Sequence, residues 1–133
     1  DEEFVSLCAV LFDTAAGTMR YASAGHPPAL LWHDGEVRKL RSTGPLLTLD
    51  PKGNYTSREI EMRPGDLILM YTDGLIEARA GEQLFGEDRV AQILRRDPGQ
   101  AASVLCKSLQ EAARDFSASP LGDDVAILAI RRT

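Results

Sequence analysis

The chain has 133 residues, of which 44% are hydrophobic and 26% charged, and it carries a net charge of −5 at pH 7. That length makes one domain and that composition supports a packed core. The negative balance, with Lys and Arg scattered apart from pairs such as Arg38-Lys39 and Arg131-Arg132, excludes an electrostatic nucleic-acid binder, and no apolar run approaches the length that spans a bilayer.

From Phe4 to Phe12 the sequence FVSLCAVLF alternates little, which predicts a strand covered on both faces. Asp13 to Gly17 reads as a turn, and Met19 to Ala24 as a strand pairing back in a hairpin. Gly25-His26-Pro27-Pro28 is a loop, because two prolines block ladder donors. Ala29 to His33 and Glu36 to Arg41 flank Asp34-Gly35, a strong signal for a tight hairpin. Ser42 to Gly53 is a long loop, and Tyr55 to Met62 reads as a charged edge strand. Pro64-Gly65-Asp66 turns the chain into the buried strand LILMYT, Leu67 to Thr72. Val90, Ile93 and Leu94 then mark a helix that starts at Glu87-Asp88. Asp97, Pro98 and Gln100 predict the capped start of a second helix, with Leu105, Leu109, Ala112 and Phe116 on its apolar face. Ser117 to Gly122 breaks that helix, and Val125 to Ile130 is a last strand. Strands first, then two helices, then a strand make an α+β layout with helices on antiparallel-rich sheets.

Cys8 and Cys106 lie far apart in apolar patterns and read as buried thiols of a reducing compartment, so a cytoplasmic location is expected. The chain opens on Asp1-Glu2-Glu3 with neither a signal peptide nor a Met, so its first residue reads as a boundary with more protein expected upstream.

Two places combine a buried strand with carboxylates. Asp73-Gly74 follows LILMYT, and Asp123-Asp124 opens VAILAI. A lone carboxylate is costly to bury, whereas a strand end at the rim holds a charge rigidly and lets it reach a ligand. Gly74 removes the side chain that would keep a ligand from the backbone. Hard cations such as Mg²⁺ and Mn²⁺ favour such oxygens, and the carboxylates would converge if the two strands were neighbours. The plainer reading of the same residues is a turn at Asp73-Gly74 and a solvated loop at Asp123-Asp124. Glu77 reads either as a partner for a metal-bound water or as a helix-start carboxylate favoured by the dipole. His26 reads as a loop residue bonding the backbone or as a group near a substrate phosphate, His33 as solvated, and Trp32 as core or strand surface.

YTDGLIEA, followed by FGEDRV and closed by GDDVAILAI, resembles the metal-dependent (PPM, type 2C) serine/threonine phosphatases. More narrowly it is similar to the bacterial branch of the stage II sporulation E protein and RsbU. YASAGHPPALLW with its hairpin and MRPGDLILMYTDG are further marks of that branch. The matches keep the family's order and span nearly the whole chain. The resemblance implies an α-β-β-α sandwich with a two-ion Mn²⁺ or Mg²⁺ site at one end. It implies that a metal-bridging water attacks the phosphorus of phosphoserine or phosphothreonine, because the ions acidify the water and screen the phosphate. By matching motif, Asp73 and Asp123 are implied metal ligands. Asp124 stands behind them, and Gly74, Glu77 and His26 lie near the metal or substrate. The implied substrate is a phosphorylated anti-sigma-factor antagonist, and a sensor or receiver domain is common upstream in that branch.

The sequence also departs from the family. The Gly-Gly-Asp strand end and the Asp-Val-x-Gly-His-Gly segment that normally open the domain are missing, and Ala126 stands where Thr is common. Residues 1–133 are therefore expected to be a single PPM-type domain without its N-terminal strands and helices. Such a piece should be inactive alone, with the strand Phe4 to Phe12 short of helical cover unless another chain supplies the missing half. The alternatives are a non-catalytic interaction module that keeps the sheet, and a metal or small-ligand binder at the Asp73/Asp123 rim.

Overall fold

Asp34 and Gly35 take positive φ angles of 51° and 74°, the left-handed pair that a two-residue turn between right-twisted strands requires. They join β3 (Ala29–His33) to β4 (Glu36–Leu40) as the Asp-Gly dipeptide predicts. The structure, a computed structural model, describes residues 3–50, 52–121 and 124–133. The other elements in chain order are β1 (Leu7–Asp13) and β2 (Thr18–Ala24) before that hairpin, then β5 (Arg58–Glu61), β6 (Leu67–Tyr71), α1 (Asp73–Ile76), β7 (Arg79–Ala80), β8 (Gln83–Leu84), α2 (Gly86–Arg96), α3 (Ala102–Phe116) and β9 (Ile127–Arg131).

The strands form a sheet of order β1-β2-β5, a second of order β4-β3-β6-β9, and the small β7-β8 ribbon. Every pairing between these strands is antiparallel. Strand β6 shows why the second sheet is central. Its Leu67, Leu69 and Tyr71 pack with Leu94, Leu105 and Leu109 of the helices, while Ile68 packs with Met19, Tyr21 and Leu31 between the sheets. With both faces covered, it reads as a continuous apolar run. The layers are thus sheet, sheet and helices, the α+β class expected.

Helix α2 carries Glu87 and Asp88 in its first turn and Arg95 and Arg96 in its last, each sign placed to suit the helix dipole. Arg89 lies 4.4 Å from the centre of the Phe116 ring and donates to the carbonyls of Leu84 and Phe85 at 2.7 and 2.9 Å, locking α2 to α3.

Four expectations need correction. Helix α3 starts at Ala102, not at Asp97. Ala101 is extended at φ −58° and ψ 144°, Gln100 closes a turn onto the Asp97 carbonyl, and Arg131 donates to the carbonyls of Pro98 and Gln100 of that turn at 2.7 and 2.8 Å. Its buried face is Leu105, Leu109 and Ala113, with Ala112 and Phe116 half-buried beside it. Strand β1 is not covered on both faces, since Leu7 and Leu11 are 53% and 68% exposed. His33 is buried at 5% exposure rather than solvated, because its Nδ1 donates to Asp66 Oδ2 at 2.5 Å. Cys8 and Cys106 are free thiols as read, but half-buried. Desolvation pushes both thiols up from their ordinary range.

Candidate functional site

Strands β6 and β9 end together. Their ladder runs from Leu67↔Arg131 to Tyr71↔Ile127, and Thr72 carries it one residue further. The Thr72 amide donates to the Ala126 carbonyl at 3.0 Å. Its hydroxyl accepts from the Ala126 amide at 2.9 Å and donates to the Asp124 carbonyl at 3.0 Å. The tip after Tyr71-Thr72 and the tip before Val125 therefore lie side by side.

Each acid can be placed relative to these tips. Asp73 opens α1 directly after Thr72 and is exposed, while Gly74 beside it is buried. Asp124 is exposed on the opposite tip. Asp123 lies outside the described residues. Glu77 closes α1, its amide bonded to the Asp73 carbonyl at 2.9 Å. It therefore sits at the C-terminal end of that turn, where the dipole opposes a carboxylate, and the helix-start reading of Glu77 is corrected.

His26 reaches the same end from the first sheet. Gly25 before it has φ 61°, and a Cβ there would meet Leu46 Cδ2 at 2.6 Å, so the turn requires glycine. The turn delivers His26 between two partners. Its Nε2–H donates to the Tyr71 carbonyl at 3.1 Å, and its Nδ1 accepts the Ser6 hydroxyl at 2.9 Å. His26 thus bonds backbone, but that of the β6 tip rather than of its own turn. A groove of ≈ 340 Å³ beside the tips is lined by Ser6, Cys8, His26, Met70, Thr72 and Leu128. On the other side, a cleft of ≈ 290 Å³ runs past Gly74, Glu77, Arg79, Ser117 and Leu121.

The donor chemistry at these tips is all oxygen: the Asp73 carboxylate, a second acid-bearing tip and backbone carbonyls. That suits a hard divalent cation. Among the described residues, no three His, Cys, Asp or Glu side chains gather closely enough to hold a metal ion. A cation seated at these tips would need further oxygen ligands to complete its shell. Thr72 and Ser6 escape a reading of the sequence. A threonine before an acid is unremarkable, and only the β6–β9 register shows that its hydroxyl crosses to the other strand.

The chain is similar to known proteins over most of its length. It is 28% identical to Protein IcfG of Synechocystis sp. over 131 residues, which is 97% of this chain and 21% of that protein. It is 32% identical to phosphoserine phosphatase RsbP of Bacillus subtilis over 90 residues, 64% of this chain and 22% of that one. Among solved structures, the SiaA-PP2C domain of Pseudomonas aeruginosa superposes with a TM-score of 0.82 at 25% identity, covering 95% of this chain and 51% of that one. The RsbU and RsbW domains of Rv1364c from Mycobacterium tuberculosis give 0.78 at 33% identity, covering 96% and 37%. The chain thus spans about a fifth of those curated relatives and about half of the SiaA domain. The two sheets and helices match the PP2C phosphatase fold, and the sequence model of stage II sporulation protein E (SpoIIE) matches residues 1–133. Sequence, fold and motif order agree, and the chain belongs to the SpoIIE family, the branch of the PPM-type phosphatases to which RsbU and RsbP are related.

Proposed function

We propose that this chain is the C-terminal part of the catalytic domain of a divalent-metal-dependent phosphatase. Its substrate would be phosphoserine or phosphothreonine on a regulatory protein of the anti-sigma-factor-antagonist type, in the cytoplasm, with a sensor or receiver domain upstream. The observation that carries this reading is the Thr72-tied pair of strand tips, which sets Asp73 beside the segment that leads to Asp123. The relation to phosphoserine phosphatase RsbP supports the reaction class.

Asp73 and Asp123 would hold Mn²⁺ or Mg²⁺ together with acids from the rest of the domain. When bound, the ions supply an acidified water and neutralise phosphate charge. The chain's own residues do the positioning. Buried Gly74 leaves the approach to the backbone open, His26 fixes the carbonyl before the Thr72-Asp73 tip, and Glu77 and Asp124 stand at the rim to orient water or substrate. A second reading, a non-catalytic interaction module, draws on the fact that no three acids meet among the described residues.

Hydrolysis of p-nitrophenyl phosphate and of a phosphoserine peptide with Mn²⁺ separates these readings. The 133-residue chain alone should stay near background. The longer gene product that completes the domain should be active, and Asp73→Asn should lower its rate by at least about 100-fold, since even groups behind metal ligands cost 10–100-fold when lost. Strong hydrolysis by the short chain alone, abolished in Asp73→Asn, would contradict the partial-domain reading. A complete product that binds the phosphopeptide without cleaving it would favour the interaction module.

A further inference from the structure

We infer that Thr72 is a positioning residue whose hydroxyl clasps the β6 and β9 tips and so sets the spacing between Asp73 and the backbone of Asp124, the next residue in sequence after Asp123; this rests on the metal-site reading above. Thr72 occupies the N-cap of α1 with φ −82° and ψ 159°. A threonine hydroxyl there ordinarily accepts an amide of its own helix, yet Thr72 makes no such bond. Its hydroxyl is spent across the sheet instead.

The backbone shows why the crossing is needed. In a regular antiparallel ladder, the residues of each hydrogen-bonded pair exchange both amide–carbonyl bonds, and Thr72 and Ala126 stand at such a pair. The Thr72 amide gives its half to Ala126, but the Thr72 carbonyl has turned away to accept the Leu75 amide of α1 at 3.1 Å. The Ala126 amide would lose its ladder partner at the point where β6 becomes a helix. Oγ1 of Thr72 takes the place of that carbonyl at 2.9 Å, then passes its own proton to the Asp124 carbonyl at 3.0 Å. One hydroxyl is thus bonded through the chain to Asp73 and through hydrogen bonds to the segment carrying the other acids.

The shape of the residue and its hydroxyl can be separated. Thr72→Val keeps the branched shape and loses both bonds, whereas Thr72→Ser loses the methyl and keeps them. The test uses the ¹⁵N-labelled longer gene product that completes the domain, amide hydrogen exchange, and titration with MnCl₂ read as paramagnetic broadening, which registers weak binding. In wild type, amides of residues 72–75 and 124–126 should broaden together at low Mn²⁺. Thr72→Ser should follow wild type. Thr72→Val should need about tenfold more Mn²⁺, the size usual for losing a group behind a ligand, and its Ala126 amide should exchange about tenfold faster. If Val proves too destabilised, Thr72→Ala against Thr72→Ser reads the same contrast. A Val or Ala variant that titrates like wild type, while Asp73→Asn abolishes the broadening, overturns the clasp and leaves the metal reading standing. Absence of selective broadening at the tips in wild type overturns both.

Discussion

At the scale of single residues, His33 and Asp66 meet inside the protein at the end of β6 remote from Asp73. Asp66 Oδ2 accepts the His33 ring at 2.5 Å and the Arg63 amide at 2.8 Å. Arg63 in turn pairs with Asp34 at 2.8 Å and Glu61 at 3.2 Å. Together they fix the turn at Pro64-Gly65-Asp66 that feeds the central strand. Removing the imidazole leaves a buried carboxylate short of a partner, so His33→Ala should lower unfolding free energy by about 1–3 kcal/mol in urea denaturation. An unchanged midpoint would show that the pair adds nothing. The sequence does not disclose this contact, because 33 residues separate its members and neither breaks a local pattern. The Asp34-Gly35 turn is legible for the opposite reason, as its chemistry is complete within two residues.

Among the elements, α2 is tied to the sheet by charge as well as by its apolar face. Lys39 on β4 reaches Glu87 at 3.2 Å and Asp88 at 2.9 Å. The hydrogen bond from Lys39 holds the Asp88 carboxyl below its usual range. A carboxylate whose folded pKa is depressed contributes stability above its unfolded pKa and loses it as pH falls through the folded value. The stability difference between wild type and Asp88→Asn should therefore be flat from about pH 5 to 8 and shrink below about pH 4. It should be small throughout, since the pair is solvent-exposed and screened. Thermal melts across that range test it, and a difference that grows on acidification would contradict the assignment. The strands and both helices are largely legible from periodicity and turn chemistry. The start of α3 is not, because residues 97–100 form a turn held by Arg131, more than thirty residues later, before Ala101 turns extended ahead of the helix. Strand β1 reads as covered because FVSLCAVLF carries no polar face, yet Leu7 and Leu11 stand in the open. Composition records what a strand can bury, and only the assembled layers show what covers it.

The whole molecule is a three-layer body that leaves Leu7 and Leu11 of β1 exposed beside the Arg20–Glu59 pair of the same sheet face, with an acid-bearing end where no three potential metal ligands gather among the described residues. Both features share one explanation under the proposed function. The SiaA-PP2C domain carries about as much chain again as this one matches, and further strands, helices and acids would cover the face and close the site. Of the candidate site, the sequence discloses the acids and the strands that end in them. Their juxtaposition rests on β6 pairing β9 across more than fifty residues, which no local pattern can encode.

The central claim is that the β6 and β9 tips serve one divalent ion, and a double-mutant cycle on Mn²⁺ binding tests it most directly. Bound Mn²⁺ would be counted by electron paramagnetic resonance for wild type, Asp73→Asn, Asp123→Asn and the pair. A shared ion predicts that either single change removes nearly all the binding and that the double change adds little, as for residues acting as a unit. Losses that simply add, or binding that survives both changes, would contradict it.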